Sequence, residues 1–298
     1  MTQQSLAQTQ AKHSLGLYYT TNANLVNKNA TGDFYTRLDS KWSSSVSEVP
    51  FFIGFSWLNY SKETSNSFLS LAVSAEIEAT QFNTSSTYWL PKVFHRNYLQ
   101  DKAATSDTSF THTGIGLDLE KNFQGSSNLK YSVLAGYETR FFSKFQNRND
   151  HEFHLLSDFD YPLNSELKIS GFAGLGLVFS NLSEYSRNYL EFGSGIKSDS
   201  KKELDWSIDL SLIQTTYVNR TISQATEITN RRGAISTQIV ETKESTQLVN
   251  LKAELIYNYL PQWKFNSGIS LSSQSSNNIV NQYSDVEISI SLITTAFP

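Results

Sequence analysis

Asn149-Asp150-His151-Glu152 places an imidazole between two carboxylates at consecutive positions. An acid and an imidazole held together can polarise a water for peptide hydrolysis. The plainer reading of the same four residues is a solvated loop tip, and the chain supplies no further acid that can be assigned as a partner. His112 and His154 are the next candidates. A lipid-ester hydrolase would need a strand-borne His beside a Ser nucleophile, and no Ser is singled out near either. His13 and His95 complete the five His. GxSxG, HExxH, the phosphate-binding loop and the dinucleotide fingerprint are all absent from the chain. The absence of Cys excludes disulfides, thiolate-held zinc and a thiol nucleophile. No catalytic residue, metal site or cofactor is expected, and the protein reads as a non-enzyme.

The other chemistry-bearing pattern is charge at a spacing of two or four. The acids pair as Glu76/Glu78, Asp118/Glu120, Asp158/Asp160 and Asp205/Asp209. A spacing of two puts side chains on one face of a strand. Continuing that face through the chain gives Arg37, Glu76, Glu78, Asp118, Glu120, Lys130, Glu138, Arg140, Asp158, Asp160, Asp205, Asp209, Lys252 and Glu254 as candidate lining charges. Lys41, Lys168, Lys197 and Lys264 share the face. Acids outnumber bases on it, so a wet interior lined this way would mildly prefer cations. The alternative is simple charge balance between acids and bases.

Strands must position these charges. In LKYSVLAGYETRFF, Leu129, Tyr131, Val133, Ala135, Tyr137 and Phe141 alternate with Lys130, Ser132, Glu138 and Arg140. The same period of two recurs at 14–20, 33–42, 51–60, 68–79, 110–120, 129–142, 152–161, 167–179, 189–198, 204–214, 249–259, 263–273 and 286–296, and no helical period competes with it. Most of these segments have ten or more residues. Soluble strands average about 5–6, and a tilted membrane strand needs roughly 9–11. Short turns at 161–166, 198–203 and 259–263 alternate with longer connections at 143–150, 180–188 and 273–282. That is the rhythm of an up-and-down transmembrane β-barrel. An even strand count requires one more strand, and residues 84–100, interrupted by Pro91, are the segment long enough to supply it. The expected fold is all-β: an antiparallel barrel of about 14 strands, with 12 as the fallback.

The apolar face should point outward. Tyr19, Trp42, Phe51, Trp57, Phe141, Tyr161, Phe179, Tyr259 and Trp263 fall near strand ends, as interfacial girdles do. No run of 18 apolar residues exists for a membrane helix. The net charge of −4 gives no reason to expect nucleic acid. Outer-membrane lipid is the expected partner, with a surface polysaccharide or a protein as the further partner class. Residues 1–12 lack the basic and apolar regions of a signal peptide and are expected to form a flexible periplasmic N-terminus. Residues 13–298 would be a single outer-membrane barrel. The polar stretch 214–248, with Asn230-Arg231-Arg232-Gly233 as its turn, would be a long extracellular hairpin. Segment 80–108 could plug the lumen. The end of the chain, with Phe297 before Pro298, departs from a barrel signal ending on its aromatic.

Residues 18–39, YYTTNANLVNKNATGDFYTRLD, join an Asn-rich strand end to GDFYTRL at the start of the next strand. This stretch of about twenty residues resembles the first hairpin of porin-type outer-membrane barrels encoded with exopolysaccharide systems. It also resembles that of the C-terminal barrel of surface lipoprotein assembly modifiers. The resemblance implies a barrel of roughly fourteen strands, often joined to a periplasmic helical-repeat region. No such repeat pattern lies within these residues. The function expected is a pore or export conduit for a small solute or surface polymer. The other reading is a non-conducting barrel that anchors or assembles a cell-surface complex.

Overall fold

A computed structural model of the chain describes residues 10–296 except 23–29, 31, 47–48, 83–84, 99–110, 126–127, 144–147, 199–202, 230–234 and 279–280. Its strands are β1 (Gln10–Thr20), β2 (Asp33–Val46), β3 (Val49–Tyr60), β4 (Phe68–Ala75), β5 (Ile77–Phe82), β6 (Ser85–Tyr98), β7 (His112–Gln124), β8 (Lys130–Phe142), β9 (Asn149–Pro162), β10 (Leu167–Ser180), β11 (Arg187–Ser198), β12 (Leu204–Thr229), β13 (Ile235–Leu260), β14 (Trp263–Ser276) and β15 (Tyr283–Ala296). Every neighbour pairs antiparallel. β1 closes on β15 and β4 on β6, so the wall is a closed barrel. β4 and β5 are one interrupted stave, which makes the closed barrel fourteen-stranded. Among the described residues the helical pieces are single turns, at Thr64–Asn66 and Ser183–Tyr185.

The interruption has a cause in the partner strand. β6 is a regular strand from Ser85 to Tyr98, not an irregular filler. Ser74 pairs with Lys92, and Ile77 pairs with Trp89 in the same register. Pro91 lies opposite the gap between them. It has no N–H to donate, so the ladder lapses there and resumes. β1 begins at Gln10, so residues 10–12 belong to a strand and not to a flexible terminus. Residues 1–9, the Asn230–Gly233 turn, Phe297 and residues 83–84 and 99–108 of the candidate plug lie outside the described residues. The rest of that segment, 80–82 and 85–98, belongs to β5 and β6 in the wall.

Burial is inverted relative to a soluble protein. Among the described residues, the buried apolar side chains are Tyr35, Leu58, Tyr98, Phe142 and Val178. Leu15, Leu71, Val93, Phe153, Leu175, Phe192, Ile208, Leu255 and Ile290 are all exposed. These exposed residues share one strand phase, so together they wrap the outside of the wall as a continuous apolar belt. A belt of this extent in water would carry a prohibitive hydration cost, whereas lipid removes it. Toward the strand ends the outer face becomes aromatic: Phe123 stacks on Tyr131 at 4.5 Å, Tyr137 packs on Phe153 at 4.9 Å, and Tyr259 and Trp263 remain exposed. The chain therefore crosses a bilayer with strands. Both termini of the barrel and its short connections share one end, where Asn128 supplies the left-handed turn residue (φ 60°) between β7 and β8. The longer connections share the other end.

Candidate pore lining

The inner face is the opposite strand phase, and it collects the charge. Its densest part crosses β6 to β11. The Lys92 ammonium lies 3.2 Å from Asp118 and 3.0 Å from Glu138. Glu138 also accepts from Arg140 at 2.5 Å, and Arg140 reaches Glu152 at 2.7 Å. His154 approaches Asp118 at 3.2 Å, and the Tyr189 hydroxyl donates to Glu152 at 2.6 Å. The register explains the assembly. Lys92, Gly116, Glu138, Glu152, Val178 and Arg187 follow one another across paired positions of six adjacent strands. Glu138 and Glu152 stand directly opposite each other on β8 and β9, a like-charge pair that would repel; Arg140, next on the inner face of β8, reaches both. Lys92, Glu138 and Arg140 each lie between two opposite charges in a confined space, where the attraction is stronger than in bulk water.

Glycines make the ladder fit. A Cβ on Gly136 would meet the Asp118 carboxylate and the His154 ring, and one on Gly116 would meet Lys92 Cε at 2.6 Å. A Cβ on Gly176 would run into the Tyr189 ring, and one on Gly114 into the Phe94 ring. Long inner side chains lie across the bare backbone of the neighbouring strand.

Beyond the ladder, the inward charges are spread around the wall. Arg37 pairs with Asp39 at 2.7 Å, and Asp39 also accepts from Ser56. Lys252 pairs with Glu254 at 3.0 Å, and Asn266 donates to Glu254 at 3.0 Å. Asp205 accepts from Asn258 at 2.9 Å, and Asp209 from Ser207 at 3.2 Å. Toward the short-turn end, Glu120, Lys130, Asp158 and Asp160 line a recess of about 270 Å³. There Ser132 donates to Asp158 at 2.7 Å, and Lys197 stands 3.6 Å from Asp160. Glu76 sits in the β4–β5 gap and Glu78 opposite Tyr88. The structure thus gathers Asp118, Glu138 and Arg140 into one network and places Glu120, Lys130, Asp158 and Asp160 around one recess. It leaves Arg37, Asp205, Asp209, Lys252 and Glu254 on other parts of the wall.

The tetrad at 149–152 is not an assembled site. It lies within β9 and not at a loop tip. Strand alternation sends Asp150 and Glu152 inward, while His151 points outward and shares a 2.7 Å hydrogen bond with the Tyr137 hydroxyl. His112 packs between the rings of Phe94 and Phe142, at 5.9 and 5.2 Å. Among the described residues no cluster of three or more His, Asp or Glu is arranged to hold a metal. Lys92, Asp39, Glu152 and Tyr189 were missed as lining groups. Phase alone would have found Lys92, which is inward because Trp89 and Val93 are outward. The Tyr35–Glu287 hydrogen bond of 2.6 Å joins strands 252 positions apart, and no local signal could have predicted it.

No protein-family profile matches the chain, and no curated protein matches it. Solved structures match in fold. An anion-selective porin from Comamonas acidovorans aligns with a TM-score of 0.51 at 7% identity, over 98% of this chain and 99% of that one. A bacterial polysaccharide outer membrane secretin aligns with a TM-score of 0.50 at 7% identity, over 95% of this chain and 97% of that one. At such identities the likeness is one of fold: the chain has the fold of bacterial outer-membrane barrels.

Proposed function

We propose that the protein is an outer-membrane pore or export conduit for a small solute or surface polymer, with its short-turn end and termini toward the periplasm. The observation that carries this is the wetness of the inner charges. Arg37 and Asp39 keep side-chain exposures of 44% and 34%, Lys197 and Asp160 of 43% and 47%, and Lys252 of 46%, although all five point away from the outer belt. A lumen packed with side chains, as in eight-stranded barrels, would bury them; a wider barrel encloses space. The fourteen lining charges would then tune selectivity. The acids of the short-turn recess, Glu120, Asp158 and Asp160, support a mild cation preference. Reversal potentials across a salt gradient test this. The triple variant Glu120→Gln/Asp158→Asn/Asp160→Asn should move the potential toward anions, and an unchanged potential would remove these acids from the ion path.

A second reading rests on β12 and β13. Their pairing with β11 and β14 ends at Tyr217 and Thr246, yet they continue to pair with each other from Thr221↔Lys243 to Thr229↔Ile235. Beyond its base, where Asn277 donates to the Lys243 carbonyl, this two-stranded ribbon pairs with no other strand among the described residues. Unpaired strand edges are templates for another extended chain, which fits a barrel that anchors a cell-surface partner. Deleting residues 221–243 leaves conductance intact under the first reading and abolishes partner capture under the second.

A further inference from the structure

We infer that the long-loop mouth of the lumen contains a recognition site for a carboxylate carried on a six-membered ring, a substrate class that rests on the pore reading. Arg96, Arg140, Arg148 and Arg187 converge there with Phe94 and Phe142 around a pocket of about 320 Å³, at the lower end of the range for small-ligand sites.

Four guanidiniums meet one lining carboxylate, Glu138, so the charge is not balanced within the pocket. Arg140 is engaged by Glu138 and Glu152. Arg148 is 1% exposed, paired with Asp150 at 2.5 Å and sandwiched between the rings of Phe142 and Tyr185. Arg96 and Arg187 have no carboxylate partner among the described residues. Arg96 instead lies over the Phe68 ring at 4.6 Å, and its Nε is buried without a hydrogen-bond partner. Arg187 makes one bond, from its guanidinium to the Tyr185 carbonyl at 3.3 Å. Two guanidiniums that retain donors and face a confined space favour a planar, bidentate acceptor. The engaged pairs behind them fix the pocket's shape. The Phe94 ring, which lies over the bare backbone of Gly114 and lines the pocket, supplies an apolar surface for a ring attached to that acceptor. Phe142 is buried between Arg148 and His112 and shapes the wall behind it. The acids of the short-turn recess lie at the other end of the same wall, so the site would capture an anion at one mouth only.

Binding is measured by calorimetry on the purified full-length barrel in detergent micelles, with glucuronate, benzoate and glucose as probes. Glucuronate or benzoate should bind and glucose should not; whichever acid binds more tightly identifies the ring as hydroxylated or aromatic. Arg96→Gln and Arg187→Gln should each weaken binding of the acid by about tenfold, the scale of removing one charge-assisted hydrogen bond. Lys121→Gln, on the outer face at the short-turn end, should bind as the parent does. Equal binding of glucose, no binding of either acid, or unchanged affinity in both variants would overturn the assignment, provided each variant keeps the folded, heat-modifiable gel mobility. Calorimetry reads the site whether or not the barrel conducts, so a channel that fails to open would defeat the pore reading and leave this result standing.

Discussion

Leu210 and Ser211 are adjacent in β12 and face opposite ways. Leu210 is 48% exposed on the outer belt and pairs with Leu251; Ser211 points inward and pairs with Gly193 and Asn250. They also lie at one depth. Leu210 is six residues from Leu204, where β12 begins. At about 3.4 Å per residue that is about 20 Å along the strand. A tilt of about 40° reduces it to about 15 Å along the membrane normal, the middle of the apolar band. An Arg on the lipid face at that depth costs about 2–4 kcal/mol, and one in the lumen close to nothing. Leu210→Arg should therefore lower the folding equilibrium by about 30-fold to about 700-fold, while Ser211→Arg should leave it within about fivefold. Guanidinium unfolding of the full-length protein in phospholipid vesicles, followed by tryptophan fluorescence, reads both. Equal losses, or a larger loss for Ser211→Arg, would refute the apolar-out assignment of the whole wall, because every strand phase was set in the same way.

Glu138 is 7% exposed and accepts from both Lys92 and Arg140. Glu138→Gln should cost about 2–4 kcal/mol in the same unfolding assay, since two cations lose their shared acceptor; a change below about 0.5 kcal/mol would mean that water already screens the ladder. Gly136→Leu places a side chain where the Asp118 carboxylate and the His154 ring now lie. It should destabilise the barrel by about 1–3 kcal/mol and alter channel noise, whereas Ala135→Leu, on the outer face beside it, should do neither.

Much of the architecture was legible because a period of two carries both faces at once. The outward run Leu129, Tyr131, Val133, Tyr137 and Phe141 needs only the alternation, and the inward placement of Lys130, Glu138 and Arg140 follows from it. The β6 segment was obscured because Pro91 sits within it, although an interruption in the partner strand absorbs that Pro. The ion-pair ladder was not legible. Whether Lys92 meets Glu138 or Asp118 depends on cross-strand register, which the chain fixes only when neighbouring strands dock. The tetrad at 149–152 misled for the opposite reason. Adjacency in sequence suggested contact, and the pleat of β9 separates His151 from the acids on either side.

The central claim is an open, water-filled lumen. Its most direct test is single-channel recording of the purified full-length protein in a planar bilayer. The account predicts discrete, ohmic conductance steps that scale with bulk salt and change in ion selectivity, but not in frequency of insertion, when Glu120, Asp158 and Asp160 are neutralised. Insertion of folded barrels with no conductance steps at any salt concentration would contradict it and leave the exposed β12–β13 ribbon as the functional part of the molecule.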